Sequence, residues 1–595
     1  MPTRQLSDFV ADFIAKAGVF DVFGITGGAS LHLIHSVAEH PKLNIICPLH
    51  EQAGAMAADG YSRVTRNLGV AIGTSGPGAT NMITGICCSY YDSVPVLYIT
   101  GQVSTFRFKG DTGVRQYGFQ ETDIVSMCKP VTKYAVTIID PQKIRYELEK
   151  AYSIAKSGRP GPVLIDIPDN LQREEVDPED LVSYTEEVEA EDFSLMSRVE
   201  ECLPLLYQAQ RPVVILGWGV RLASADKEVM QLIECLKLPV APTWGGAELL
   251  PAEHEALIGT FGTHGTRFGN FAVQNADLIL AIGTRLDTHE TGSPLSTFAR
   301  EAIKIVVDID GSELRKAPHF GMKIEYPIEA DAKEFISTLL KVVDKDKLSD
   351  ISQWKSTIAE WKLKYPICPD HYYQEKSINP YVFVKELSAV SGENETIIVD
   401  TGCSLAWVMQ AFECKSGQRI FHDFNNTAMG YALPASIGAS IALAGKPVTC
   451  ITGDGSLQMN IQELATIIHY KLPVRVIVIN NGGYSMIQQT QDQWLGSKYI
   501  ASSVEGGVPS PDYSGVAQGY GFKTYSINTN AEIRQVLKEM FDDEEAVFCE
   551  IHINAEHRVT PQVKFGRAIE DAEPLIDRNE FNQAMIVPPL ESSKK

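Results

Sequence analysis

Short, nearly uninterrupted apolar runs alternate along the chain with stretches in which hydrophobic residues recur at helical spacing. Within residues 1–172 the runs are "DVFGIT", "LNIICPL", "GVAIGT", "VPVLYIT" and "GPVLIDIP". Strands this apolar on both faces, each followed by a helical pattern, predict βαβ units around a parallel sheet. The rhythm returns over 195–345 in "RPVVILGWGV", "LPVAPTW", "ADLILAIGTRLD" and "IKIVVDIDG". It returns again over 380–555 in "TIIVDTG", "VTCITGDG", "VRVIVINN" and "AVFCEIHI". Three successive parallel-sheet α/β domains are therefore expected. Polar stretches at 173–194 and 346–379 read as linkers. The tail, 556–595, reads as an arm that either packs over a domain surface or is partly disordered.

Composition narrows the function classes. A formal charge of -23 over 595 residues opposes binding to nucleic acid or an anionic membrane, both of which call for a basic face. The eleven cysteines form no CxxC pair and no zinc spacing, as expected of reduced thiols. No apolar run reaches membrane-spanning length, and Met1 to Lys16 reads as an amphipathic helix that enters a domain directly. A cytoplasmic protein acting on small molecules is the expectation.

The candidate chemistry begins at "ITGDGSLQMNIQELATIIHYKLPVRVIVINNGGYSM". In parallel α/β domains ligands bind beyond the carboxyl ends of the strands, where Gly453-Asp454-Gly455 and Asn480-Asn481 both fall. The glycines permit a tight turn, Asp454 offers an anionic oxygen, and Asn481 offers a neutral one a βα unit later. Such a pair suits Mg²⁺ with open positions. Mg²⁺ held by so few side chains takes phosphate oxygens as well, so a diphosphate is implied, with the amino end of the helix near Ser456 facing it. Read alone, the same residues are a turn and a strand end.

The first block carries "HEQAGAMAADGYSR", "TSGPGATN", "DSVPVLYITGQV" and "FQETD". With the GDG and NN motifs these resemble the thiamin-diphosphate enzymes, within them the acetolactate synthase branch, over most of residues 5–555. The resemblance implies a pyrimidine-binding domain, a central FAD-type domain and a diphosphate-binding domain. It implies that Glu51 protonates the cofactor's pyrimidine, that Met429 wedges the cofactor bent, and that Asp454, Asn481 and the Gly483 carbonyl hold Mg²⁺. Gly28, Phe119 and Gln120 then line the reaction centre. Pro77, Asn81, Gly402, Ser404, Gly453, Gly455, Ser456, Asn481 and Met486 contact thiamin diphosphate. "GWGV", "GTHG", "GTRLD" and "DID", with Arg285 and Asp308, fall at the family's FAD contacts, the flavin being a structural inheritance.

By the same resemblance the reaction is decarboxylation of a 2-oxo acid such as pyruvate and transfer of the two-carbon unit to a carbonyl acceptor. A homodimer or homotetramer with sites between subunits is also implied. Three positions depart from the family pattern: His289 and Asp169 replace basic residues, and Thr490 replaces a tryptophan. The loop "VSTFRFKGDTGVRQYG" is longer than in the family and carries Arg107, Lys109 and Arg115, which either hold an acceptor's phosphates or are solvated. His32 and His35, one turn apart, either face substrate or serve packing and solvation. A keto-sugar nucleotide acceptor, a simple decarboxylase or a flavin-reducing oxidase are the alternative activities. A plain binding protein has no need of Glu51, Asp454 and Asn481 together.

Overall fold

The computed structural model describes residues 3–186 and 194–593. It contains three parallel sheets, each wrapped by helices. The first runs from Asp21–Gly24 to Val163–Pro168 and the third from Thr396–Val399 to Val547–His552, with six strands each. With strands numbered in chain order within each sheet, both have the order 2-1-3-4-6-5. The central sheet, from Pro212–Leu216 to Tyr326–Glu329, has five strands in the order 2-1-3-4-5. Every pairing within these sheets is parallel, which is why the strands are apolar on both faces. In each sheet the order reverses between the first and third strands, opening a crevice at the carboxyl edge.

The first and third domains share one hydrophobic core, because the small-residue helix Glu51–Thr65 lies directly against helix Ala432–Ala442. A Cβ at Gly438 would stand 1.9 Å from the Ala57 carbonyl, and one at Gly60 2.4 Å from that of Ala435, so backbone meets backbone here. The paired positions show the helices to be antiparallel. Beside them Arg63 is wholly buried, 2.6 Å from Asp59 and 2.8 Å from Asp92, and it donates to the His422 carbonyl at 2.8 Å. One guanidinium thus joins two domains.

Three segments differ from, or decide between, the readings made from sequence. Glu175–Val176, inside the first expected linker, pairs antiparallel with Arg4–Gln5 and so belongs to the first domain; 187–193 lie outside the described residues. Within 346–379, helix Ser352–Lys364 buries Trp354, Ile358 and Trp361 in the central core. That one narrow stripe, i, i+4, i+7, is hidden among polar residues in the sequence. The tail packs, burying Ile569, Ala572, Phe581 and Val587 in the same core, and Arg267 donates to the carbonyls of Ala572 at 3.1 Å and Pro574 at 2.7 Å. No helix among the described residues is long and apolar enough to cross a membrane.

Candidate active site and cofactor cavity

Strand Val448–Gly453 runs straight into helix Asp454–Leu457, and the end of strand Val474–Asn480 lies beside it. Asp454 is buried there. Its Oδ1 accepts the Gly455 amide at 2.9 Å and its Oδ2 the Gly483 amide at 2.9 Å. A side chain at Gly483, with φ +135°, would press within 2.3 Å of the Ser502 carbonyl. Asn481 Oδ1 is buried with no protein partner. An orphaned acceptor of this kind costs about 1–3 kcal/mol unless a donor or cation meets it. Burial also pushes the Asp454 carboxyl up to about 6, so a cation at this corner would relieve both groups. Carboxylate, amide oxygen and the neighbouring Gly483 carbonyl form a hard-oxygen set that fits Mg²⁺.

Asp400, which the sequence reading did not single out, ties this corner together. Its Oδ1 accepts the amides of Thr401 at 3.0 Å and Gly430 at 3.1 Å, and its Oδ2 the Thr452 hydroxyl at 3.0 Å. Three loops, those of Gly402, of Met429 and of Gly453, are thereby held at one sheet edge. Ser404 donates to the Asp400 carbonyl at 3.0 Å, and a side chain at Gly402, φ +100°, would meet only open space. Met486 lies in the first turn of the next helix, Ser485–Trp494, and Thr490 one turn later spends its hydroxyl on the Met486 carbonyl at 3.1 Å. Ser456 is buried in the short helix after Gly453 and Gly455.

Glu51 opens its helix at the carboxyl edge of the first sheet. Its Oε2 accepts from Asn81 Nδ2 at 2.9 Å, and Gly78 lies close to Oε1, where an added Cβ would stand 3.4 Å away. The turn carrying Pro77 is set by Gly76 at φ +63°. Gln120, itself in the left-handed region at φ +64°, packs over Gly76. Gly28 faces open space on the same side, its neighbour Ala29 donating to Thr74 at 3.3 Å. Glu51, Asn81, Pro77, Gln120 and Gly28 therefore gather, while Phe119 points out to solvent at 83 % exposure. Burial acts against ionisation of Glu121, but three backbone donors, Lys109 at 2.7 Å, Tyr117 at 2.9 Å and Gly118 at 3.2 Å, hold its carboxyl below its ordinary range. Those bonds fold the long loop, leaving Arg107 and Arg115 exposed. His32 is half-buried and His35 exposed, neither beside these groups by any hydrogen bond among the described residues.

Within one chain the two clusters stand apart. The antiparallel packing sends the Glu51 end of its helix toward Ala442, which precedes the amino edge of the third sheet. Consistent with that direction, Cys47 donates to the Tyr470 hydroxyl at 2.8 Å, just before strand Val474–Asn480 begins. Asp454 sits at the carboxyl edge.

Between the three domains lies a cavity of about 390 Å³. It opens at the central sheet's strand-order reversal, where Gly217 ends the first strand and Gly283 the third. A Cβ at Gly217 would come within 2.2 Å of the Gly283 carbonyl, so glycine is required. Asp308 lines the cavity, its carboxyl pushed up to about 6 by burial, and Arg285 stands 3.5 Å from Glu313. Trp218 of the "GWGV" turn lines it too, as do Arg159 and Trp244, which were not foreseen; "SGRPGP" reads only as a turn before a strand. The mixed apolar and polar wall, drawn from all three domains, fits a flavin dinucleotide. Gly402 and Met486 border the same space, as does His289, whose Nε2 lies 3.0 Å from His264 Nδ1.

Comparison with known proteins follows this geometry. Residues 4–127 match the family model of the thiamine pyrophosphate enzyme N-terminal TPP binding domain. Residues 199–339 match that of the central domain, and 400–551 that of the C-terminal TPP binding domain. The chain is 34 % identical over 583 residues to a probable acetolactate synthase large subunit of Methanocaldococcus jannaschii, covering 95 % of each. It is 30 % identical to the acetolactate synthase isozyme 3 large subunit of Escherichia coli, covering 94 % of this chain and 97 % of that one. Against acetolactate synthase 1, chloroplastic, of Nicotiana tabacum it is 30 % identical, covering 96 % and 84 %. Three sheets, two TPP-binding modules and end-to-end similarity make the chain a member of the thiamine pyrophosphate enzyme family, in its acetolactate synthase large-subunit group.

Proposed function

We propose that the chain decarboxylates pyruvate and transfers the resulting two-carbon unit to a carbonyl acceptor, with thiamin diphosphate, Mg²⁺ and FAD bound. The observation that carries this reading is the orphaned Asn481 Oδ1 beside the burial-strained Asp454 carboxyl, at the sheet edge of a TPP-binding module. Thiamin diphosphate, when bound, supplies the nucleophilic carbon and the electron sink that pyruvate decarboxylation needs. Asp454, Asn481 and the Gly483 carbonyl would hold Mg²⁺. Gly402, Ser404, Gly453, Gly455 and Ser456 would cradle the diphosphate, and Met429 and Met486 the apolar rings. Pro77 and Asn81 would bound the pyrimidine. Glu51, with Oε2 occupied by Asn81, has Oε1 left to give or hold a proton at a ring nitrogen set against it. Gly28 and Gln120 would face the reacting carbons, Phe119, exposed in the single chain, would do so only where a second copy covers it, and His289 and Thr490 would face the acceptor. Arg285 and Asp308 would hold the flavin.

The separation of Glu51 from Asp454 within a chain supports a homodimer or homotetramer in which each site takes Glu51 from one copy and Asp454 from another. The domain limits we propose are 1–172, extended by the Glu175–Val176 strand, 195–345, joined by helix Ser352–Lys364 and the packed tail, and 380–555. A cytoplasmic setting agrees with eleven unpaired cysteines. The test is NMR of 3-¹³C-pyruvate incubated with protein, thiamin diphosphate and Mg²⁺. A labelled product with a new C–C bond is expected. Free acetaldehyde alone would mean a decarboxylase, and unchanged pyruvate would remove the reading.

A further inference from the structure

We propose that Asp92 is a positioning residue that ties the flavin cavity to the thiamin-diphosphate site. Its carboxylate holds the segment 422–430, which walls the cavity at one end and carries Met429 at the other, so that the two cofactors bind with positive coupling. The inference rests on the reading in which flavin fills the cavity and Met429 supports thiamin diphosphate.

The segment joins strand Arg419–Phe421 to helix Ala432–Ala442 and is neither helix nor strand itself. Most of it is at least half-buried, so its amides need acceptors from elsewhere. Three carboxylates supply them at both ends. Asp92 Oδ2 accepts the Phe424 amide at 2.8 Å, and its Oδ1 accepts the Asn425 amide at 3.0 Å and Asn425 Nδ2 at 2.6 Å. Asp423 Oδ2 accepts the Ala428 amide at 3.0 Å, and Asp400 Oδ1 the Gly430 amide at 3.1 Å. Met429 therefore sits between two pinned amides. Thr427, between the two sets of contacts, is in the left-handed region at φ +48°, which a β-branched residue holds only where its surroundings impose it. Its hydroxyl lies 2.9 Å from that of Thr401.

Asp92 is also where the three domains meet. It caps helix Ile83–Tyr91 of the first domain, its carboxylate stands 2.8 Å from the buried Arg63 guanidinium, and its carbonyl accepts Trp218 Nε1 of the central domain at 2.9 Å. Asp92, Trp218, Phe424, Asn425 and Thr427 all line the cavity. A flavin there would press on the same stretch of backbone whose far end bears Met429. Order imposed at one end is order that a second ligand need not impose again, and by linkage the gain is equal in both directions.

Both carboxylate oxygens are needed for this. Asparagine has the same shape, but either orientation turns its NH₂ toward two donors: Arg63 and the Phe424 amide, or the amide and side chain of Asn425. The hold on the segment is then broken while the cavity and the metal corner stay intact.

The test titrates FAD into the full chain, read by flavin fluorescence, without and with saturating thiamin diphosphate and Mg²⁺. In the parent, thiamin diphosphate should tighten FAD about tenfold, and FAD should tighten thiamin diphosphate by the same factor. In Asp92→Asn both cofactors should still bind, and the factor should fall to about two or less. Phe581→Ala opens a hole in the central core but leaves all of these hydrogen bonds in place, and it should keep the full factor. Its loss there as well would overturn the role given to Asp92. Hydrogen exchange gives a second reading, since FAD alone should slow exchange of the Gly430 amide in the parent and not in Asp92→Asn. A factor near one in the parent, or an unchanged factor in Asp92→Asn, would overturn the inference and leave the carboligase reading standing. A parent that bound no FAD would remove the flavin assignment with the inference, and one that bound no thiamin diphosphate would remove the whole reading.

Discussion

Gly483 donates its amide to Asp454 Oδ2 at 2.9 Å, fastening one strand end to its neighbour and leaving Asn481 Oδ1, between them in the site, without a partner. An oxygen buried for a cation costs nothing to delete when the cation is absent. Asn481→Ala without metal should stay within about 1 kcal/mol of the parent in urea unfolding. Calorimetry should then show Mg²⁺-dependent thiamin diphosphate binding weakened by about 100-fold or more. Equal binding in the variant would mean that the oxygen is not a ligand.

Asp166 and Asp400 are fully buried, and burial pushes each up to about 7. Because the folded state binds these protons more tightly than the unfolded chain, their favourable contribution is complete below about pH 4 and is lost as pH rises toward about 7. Asp166→Asn, which cannot titrate, should flatten the fall in unfolding free energy across that window. The flattening should be on the order of a few kcal/mol, read as urea midpoints from pH 4 to 7. An unchanged pH slope would show that Asp166 is ionised throughout.

Arg63 stands where the first and third domains meet, and its removal strands Asp59 and Asp92 as buried charges. Arg63→Met should cost about 3–5 kcal/mol and uncouple the unfolding of the two domains in calorimetry. A single, unshifted transition would contradict the bridging role.

Phe581, on the tail, is fully buried in the central core. Phe581→Ala should therefore cost about 3–5 kcal/mol and lower the melting temperature of the central domain. A surface arm would show almost no change.

The fold was readable because a strand buried on both faces leaves a continuous apolar run, and "VRVIVINN" shows that as plainly as the structure does. The helix of Trp354, Ile358 and Trp361 was not, since three buried positions in thirteen residues leave the stretch polar on average. At the site, Glu51, Asp454 and Asn481 stood out through their spacing to glycine turns. Asp400 did not, because a carboxylate that accepts three bonds from loops near and far leaves no local pattern.

The central claim, that Glu51 and Asp454 serve one reaction from two copies of the chain, is tested most directly by co-expressing Glu51→Gln with Asp454→Ala. Each variant alone should yield no labelled carboligation product from 3-¹³C-pyruvate. Random pairing makes about half the dimers mixed, each with one intact site of two, so about a quarter of parental activity should return. No recovery in the mixture would contradict the shared site, because a site built within one chain stays broken in both variants.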